Sequence, residues 1–221
     1  MTMVWPGDVI PTASKASSAA RSRAVSLRLW GADALAVFEL DEAEHERRCA
    51  AGAQPLDTFR PLEVLKTLPV KVPVPRASLT STNCSEISRL PRGAVSADGE
   101  TVTRLAVRPL QVELVVVRAS SWGRGMDLAS QFAPFCRRAI FVERMPARAS
   151  ELMMQADFYG VGVFARSVDG VAMEVSPAPH RPRRQTTAAW RFAEEIYRRV
   201  TTGEASGEPY ASSVMAAHCA S

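Results

Sequence analysis

The sequence predicts an α/β fold in which one mixed β-sheet is flanked by helices. From residue 94 onwards strand and helix patterns alternate, and strand–helix–strand units pair their strands in parallel through right-handed crossovers. Two hairpin signals, Asp98-Gly99 and Asp169-Gly170, add antiparallel strands. Parallel and antiparallel pairs in one sheet make that sheet mixed, and helices cover its faces.

A central strand is predicted at 112–117, because a nearly continuous apolar run is typical of a strand that is covered on both faces. We expect it to lie between the hairpin strand 101–107 and a second apolar strand at 139–143. An amphipathic helix follows the central strand, and Ser120 or Ser121 is expected to cap it.

Two more helices and a hairpin complete the predicted core. The first helix reads "SELMMQADFYG", with Ser150 as its N-cap and Gly160 as its stop. The hairpin turned at Asp169-Gly170 comes next, and the last helix covers "TTAAWRFAEEIYRRV" with one apolar stripe.

The chain divides into four predicted segments. Residues 1–24 are rich in Ser, Ala and Thr and are predicted to be flexible, as is the tail at 202–221. Residues 25–92 form a helical part, which includes a charged helix over 31–52 and a proline-rich connector, "PVKVPVPRAS". The connector can be neither a helix nor a central strand. Residues 93–201 form the α/β core.

The composition is that of an ordinary globular protein with one large domain. The chain has 221 residues, of which 47% are hydrophobic and 23% are charged. A formal charge of +4 is too small to indicate nucleic acid by itself. Arginine outnumbers lysine by 24 to 3, which is typical of a GC-rich bacterial genome, so we discount it as a sign of phosphate binding.

The sequence also limits the compartment and the cofactors. No apolar run approaches the length that spans a bilayer, and the N-terminus lacks the apolar core of a signal peptide. We therefore expect a cytoplasmic protein without a membrane partner. The four cysteines, Cys49, Cys84, Cys136 and Cys219, form no CxxC pair, so we expect reduced thiols, no metal and no cofactor.

One helix face allows a metal interpretation. Asp41, His45 and Cys49 are four residues apart, a spacing that can hold a metal. The alternative is a solvated helix face with ion pairs to Arg47 and Arg48. Nothing nearby completes a coordination set, which favours the ion pairs.

Three motifs occur in the order found in one nuclease superfamily. "RASSW" ends the central strand and opens a helix at Trp122, "LASQFAPFCRRAIFVERMP" covers that helix and the next strand, and "ADFYGVGVFARSVDG" covers a helix, its glycine and a hairpin. From 102 to 175 the chain resembles the restriction-endonuclease-like, PD-(D/E)XK nuclease fold.

The resemblance implies a metal site made of two carboxylates and a lysine. In this chain Arg118 stands at the lysine position, Val116 at the position of the strand carboxylate and Arg104 where the family has an aspartate. Arginine offers no lone pair and valine cannot coordinate a cation. The site is therefore degenerate, and we expect no metal-dependent nuclease activity.

Other acids leave an alternative metal site open. Glu113 lies on the central strand, but side-chain alternation points it to the opposite face from Val116. Asp98 lies at a hairpin tip, and Asp127 lies in the helix after the central strand. A metal site would need one of these acids to approach Arg118.

Arginines supply the candidate binding residues. Arg118 ends a central strand, where it holds a phosphate or a carboxylate, pairs with an acid such as Asp127 or Glu143, or simply reaches solvent. The loop "PAPHRPRRQ" contains no acid, so it is either a backbone-binding loop or a solvated one. The predicted contacts to nucleic acid are Arg118, Arg124, Arg181, Arg183 and Arg184.

Three functions are compatible with these observations. The favoured one is a non-catalytic nuclease-fold protein that binds DNA or a protein partner, in a defence or mobile-element system. The second is a structural or interaction subunit without a nucleic-acid role. The third is an enzyme whose site no motif reveals, since GxSxG, Walker and HExxH motifs are absent from the sequence.

Overall fold

The computed structural model describes residues 5, 9–16, 21–182 and 184–203. The chain forms two compact units. The first takes in the described residues up to 39 together with 112–182, and the second takes in 40–111 and 184–201. Each unit thus combines distant segments, whereas the sequence divided the chain into consecutive ones.

The helices and strands follow one another in an α/β order. They are α1 (Val9–Ala16), β1 (Arg23–Leu29), β2 (Ala32–Leu40), α2 (Glu42–Ala51), α3 (Phe59–Thr67), β3 (Pro73–Pro75), a 3-10 turn (Arg76–Ser78), α4 (Ser81–Ser88), β4 (Val95–Ala97), β5 (Thr101–Arg104), β6 (Leu110–Arg118), α5 (Trp122–Ser130), β7 (Arg137–Val142), α6 (Ala149–Phe158), β8 (Val161–Ser167), β9 (Gly170–Val175) and α7 (Thr187–Thr201).

The first unit is built on a six-stranded sheet with the order β1-β2-β6-β7-β8-β9. β6, β7 and β8 are parallel neighbours, whereas β1–β2 and β8–β9 are antiparallel hairpins. The prediction of an α/β fold with a mixed sheet and flanking helices is confirmed. A second sheet, with the order β3-β5-β4, makes the prediction of one sheet wrong.

The predicted central strand is confirmed as β6, but one of its predicted neighbours is wrong. Val115, Val116 and Val117 are fully buried, so the strand is covered on both faces. β7 flanks it as expected, while β2 takes the other side and β5 joins the smaller sheet. An irregular stretch that contains Pro109 separates β5 from β6, and proline cannot donate to a strand ladder, so the chain changes sheet there.

Residues 32–40 correct the helix predicted over 31–52. They form β2, and α2 begins only after Asp41, whose side chain accepts a hydrogen bond from the Glu44 N–H group. Gly52 ends α2 in the left-handed conformation, as the sequence indicated. β2 is buried along most of its length, and such a run cannot be distinguished from a buried helix by periodicity.

The turn between β1 and β2 lacks a hairpin signature. Trp30 (φ 47°) and Gly31 (φ 81°) are its two residues. Such turns favour Asn-Gly or Asp-Gly, because both positions are left-handed. A left-handed tryptophan costs about 1–2 kcal/mol. Its indole stacks on Phe132, with ring centroids 5.0 Å apart, and meets the edge of Phe135, which offsets that cost.

α1 corrects part of the N-terminal segment predicted to be flexible. Val9 and Ala13 are fully buried, and with Trp5 they join Leu35 and Phe141 in the core of the first unit. The other residues of that segment up to residue 20, and the predicted tail beyond residue 203, lie outside the described residues.

The second unit has its own core, and the proline-rich connector contributes an edge strand to it. The strand β3 pairs only with β5 in the three-stranded sheet, which agrees with the prediction that the connector cannot be central. The buried apolar residues of this core are Leu56, Leu62, Leu65, Leu68, Ile87, Ala94, Val102, Ala106 and Trp190.

The cysteines differ from one another. Cys84 and Cys136 are free thiols, and burial raises the pKa of Cys136 above its usual range. Cys49 is disulfide-bonded, which corrects the expectation that all four cysteines are reduced. Sequence spacing alone cannot reveal such a bond. Cys219 lies outside the described residues.

Candidate functional site

The parallel strands of the first unit end at one edge of the sheet, and three charged side chains lie there. Arg118 is the last residue of β6, Glu143 directly follows β7, and Arg166 is next to last in β8. Open α/β sheets bind ligands outside the carboxyl ends of their parallel strands. This edge is therefore the first candidate for a site.

These three side chains lie on the same face of the sheet. Arg118 is in register with Phe141, which is in register with Phe164. Because side chains alternate along a strand, Glu143 and Arg166 lie one step beyond Phe141 and Phe164 on the same side. Both phenylalanines belong to the buried core, so the charged group begins where the apolar face ends.

Glu143 links the two arginines, one through each carboxylate oxygen. Arg118 Nη2 donates to Oε1 at 2.5 Å, and Arg166 Nε donates to Oε2 at 2.9 Å. The pairing of Arg118 with Glu143, one of the predicted alternatives, is therefore confirmed. Two guanidinium groups against one carboxylate leave an excess of positive charge. A guanidinium has five N–H donors, so each arginine can contact an anion while it holds Glu143.

The cluster of Arg118, Glu143 and Arg166 is accessible to solvent. The side chains are 30%, 40% and 50% exposed, respectively. Ion pairs this exposed contribute about 0–1 kcal/mol to stability, because water screens them. Substitutions in the cluster are therefore expected to change binding more than folding.

The acids considered for a metal site are spread over the fold. Glu113 lies toward the other end of β6 from Arg118 and on the opposite face, and Asp127 is exposed on α5. Asp98 lies in a hairpin of the second unit, where hydrogen bonds from Thr101 lower the pKa of its carboxyl group. Within the described ranges, no three His, Cys, Asp or Glu residues form a group that could hold a metal.

The three positions marked as degenerate by the nuclease resemblance do not share a sheet. Val116 is fully buried in β6, whereas Arg104 belongs to β5 in the second unit. Arg104 donates to the carbonyl groups of Leu65 and Leu68 at the C-terminal end of α3, and its guanidinium lies 4.6 Å from the Trp190 ring. Burial lowers the pKa of Arg104. Because β5 does not pair with β6, Arg104 does not lie on a strand beside β6, where the family has its aspartate. It caps the C-terminal end of α3 instead.

The other predicted binding arginines are dispersed. Arg124 is exposed in the first turn of α5, directly after the edge that holds Arg118. Arg181 is exposed in the irregular segment after β9, and Arg184 is exposed in the second unit. Arg183 lies outside the described residues.

Arg166 is the member of the cluster that the sequence analysis did not single out. A usable signal was present, because "VGVFAR" repeats the pattern of "ELVVVR": an apolar strand that ends in arginine. Two parallel strands with this pattern bring their arginines to the same edge. Arg144, which follows Glu143, is also exposed at that edge.

A second charged group lies in the second unit and is buried. Arg48 Nε donates to Glu44 at 2.7 Å, and both of its Nη atoms donate to the Glu194 carboxylate at 2.8 Å. The three side chains are at most 2% exposed. Glu194 also accepts hydrogen bonds from the Trp190 indole and the Leu56 N–H group. This network joins α2 to α7.

The electrostatics of this network favour the charged forms of Glu44 and Arg48 and the neutral form of Tyr197, which lies beside them. Burial acts to raise the pKa of Glu44, but hydrogen bonds from Arg47 and Arg48 outweigh it, so the pKa lies below its usual value. The pKa of Arg48 is raised, because its bonds to both glutamates outweigh burial. Burial raises the pKa of Tyr197 to about 12. None of these groups is poised to exchange a proton near neutral pH, which is typical of a structural network.

The metal interpretation of α2 gains no support from the contacts of its residues. Asp41 caps the helix, and His45 Nδ1 lies 2.9 Å from the Tyr197 hydroxyl. The expected ion pairs with Arg47 and Arg48 are present, but the expectation of a solvated face is wrong because Arg48 is buried.

No family model, curated protein or solved structure matches this chain. Over the described part of the chain, the helices are too short or too polar to cross a bilayer. The function must therefore be inferred from the residues of the chain itself.

Proposed function

We propose that this chain is a non-catalytic nucleic-acid-binding protein of restriction-endonuclease-like architecture. Its contact surface is the carboxyl edge of β6, β7 and β8, where it holds the phosphate backbone. The observation that carries the proposal is the cluster of Arg118, Glu143 and Arg166, in which two accessible arginines share one carboxylate at that edge.

The chemistry of this edge fits a phosphate. Guanidinium groups bind phosphate oxygens through paired, charge-assisted hydrogen bonds. Arg124 lies in the first turn of α5, where the helix dipole adds partial positive charge, and the exposed Arg144 follows Glu143. The Glu143 carboxylate already occupies an anion position between Arg118 and Arg166, and a phosphate oxygen has the same charge and hydrogen-bonding needs.

The same residues argue against hydrolysis at this edge. A divalent cation needs several oxygen ligands. Glu143 is held by two guanidinium groups, which repel a cation, and the neighbouring Val116 is apolar and buried. The chemistry available at the edge is therefore binding of an anion rather than activation of water by a metal.

The architecture is supported by the segment from β6 to β9. A central strand, a helix, a parallel strand, a second helix and a hairpin follow in the order that the resemblance implies. The antiparallel hairpin beside β6 is supplied by β1 and β2 instead of β4 and β5.

Salt-dependent binding to DNA tests the proposal. Fluorescence anisotropy with a labelled duplex should show affinity that falls with salt and depends little on base sequence. The double variant Arg118→Ala, Arg166→Ala should reduce the slope of log affinity against log salt by about two units, since each lost duplex contact accounts for roughly 0.9.

A matched control removes the same charge elsewhere. Arg60 and Arg92 are exposed in the second unit and lie outside the predicted contact set, so their double alanine variant should leave the slope close to that of the wild type. If the wild type binds DNA at low salt no better than the Arg118 and Arg166 variant does, the nucleic-acid role is wrong.

A further inference from the structure

α6 exposes large apolar side chains that the described residues of the first unit leave uncovered. Met154 is 69% exposed, Phe158 is 83% exposed and Tyr159, directly after the helix, is 54% exposed. Of the ten residues of α6, only Ala156 is buried. Single exposed apolar residues are common, but a contiguous group marks an interaction surface.

A groove runs beside these residues, between α6 and the edge strand β9. It is lined by Ser150, Met153, Met154, Asp157, Glu174, Val175 and Ser176. Methionine is flexible and polarisable, so a methionine-lined groove adapts to different apolar side chains.

The charge of the groove specifies its occupant. Asp157 and Glu174 are both exposed, and the described residues that line the groove include no basic one. Glu151, on the same helix, is ion-paired with Arg148. An occupant must therefore bring apolar side chains for Met153 and Met154 and positive charge for the two acids.

We propose that the groove between α6 and β9 docks a basic, amphipathic segment of a partner protein. The segment lays its apolar side chains on the methionines and directs Lys or Arg side chains to Asp157 and Glu174. Helices that bind in grooves combine apolar anchors with complementary charges in this way. This docking surface is independent of the arginine cluster.

Charge disfavours a second copy of this chain as the occupant. In a two-fold symmetric dimer the same patch meets itself. Asp157 and Glu174 would then approach their own copies, and like charges across an interface cost affinity.

The test uses three labelled peptides that differ in charge or pattern. The first is an amphipathic helix of leucine and lysine, the second replaces lysine by glutamate, and the third scrambles the first. The wild-type protein should bind the leucine–lysine peptide and neither of the others. The double variant Asp157→Lys, Glu174→Lys should weaken that binding by about tenfold, because it removes two surface ion pairs, each worth up to about fivefold, and sets like charges against each other. It should also gain binding to the leucine–glutamate peptide.

Two further variants separate apolar contact from general charge. Met154→Ser should weaken binding of the leucine–lysine peptide without unfolding the protein, since the Met154 side chain lines the groove and is exposed. Glu46→Lys with Glu63→Lys reverses the same charge at exposed positions of the second unit and should leave binding unchanged.

Four outcomes overturn the proposal. They are no binding of the leucine–lysine peptide by the wild type, equal loss of binding in the charge-reversed variant and its control, self-association in sedimentation that Met154→Ser removes, and binding to zwitterionic lipid vesicles that Met154→Ser removes. The last two would assign the surface to a second copy or to a membrane.

Discussion

Two arginines of this chain are expected to differ in their effect on stability because their surroundings differ. Arg48 is buried between two carboxylates, so removal of its side chain leaves buried Glu194 without the guanidinium that pairs with it and leaves Glu44 with Arg47 alone. Arg118 is partly exposed and shares one carboxylate with Arg166, so water screens the loss of its partner. At the scale of single residues, burial decides which ion pair cannot lose one partner without a large loss of stability and which can.

Arg48→Met is therefore expected to destabilise the protein severely. Breaking a buried ion pair by removing one partner costs about 3–5 kcal/mol. Urea unfolding monitored by circular dichroism measures the change. Arg148→Met is the matched control, because Arg148 forms an exposed pair with Glu151 whose loss should cost less than about 1 kcal/mol. Similar unfolding midpoints for the two variants would contradict the structural role of Arg48.

The sequence identified the charged residues of α2 but not their burial. Their spacing predicted ion pairs among neighbours on one helix, and those pairs exist. The partner that makes the network buried is Glu194, which is 146 residues away from Arg48. Helical spacing predicts only contacts between residues a few positions apart, so no pattern in the sequence indicated the contact between Arg48 and Glu194.

At the scale of elements, β6 organises the first unit, since it lies in the middle of the sheet and its valines are fully buried. Its apolar run made it predictable, because few other structures are compatible with such a segment between turn signals. The same property hid β2, which is also apolar but is followed directly by a charged helix. A continuous apolar run next to a helical pattern gives no period that separates strand from helix.

Val115→Asp tests the position of β6. An unpaired charge in the middle of the sheet should cost several kcal/mol and lower the melting temperature by well over about ten degrees, or prevent folding. Val168→Asp is the control, since Val168 is fully exposed in the turn between β8 and β9. The melting temperature of this variant should be close to that of the wild type. Equal melting temperatures for the two variants would mean that β6 is not central.

At the scale of the whole molecule, the sequence predicted the order of most elements but not their assignment to sheets. β5 precedes β6 in the chain, yet it pairs with β3 and β4. Pairing between strands depends on contacts distant in sequence, and here residues 40–111 and 184–201 form a unit of their own. The sequence indicated Arg118 and Glu143 as a possible pair, whereas Arg166 was missed, because it joins them only through the parallel register of β6, β7 and β8.

The central functional claim is that a phosphate binds to Arg118 and Arg166, the two arginines that the Glu143 carboxylate already contacts as an anion. The most direct measurement is the affinity of Glu143→Gln for a labelled DNA duplex at low salt. Removing a negative charge about 4 Å from a phosphate is worth about 1 kcal/mol in water. We therefore expect the affinity of this variant to rise about fivefold above that of the wild type. An unchanged or lower affinity, in a variant that unfolds at the same urea concentration as the wild type, would contradict the claim.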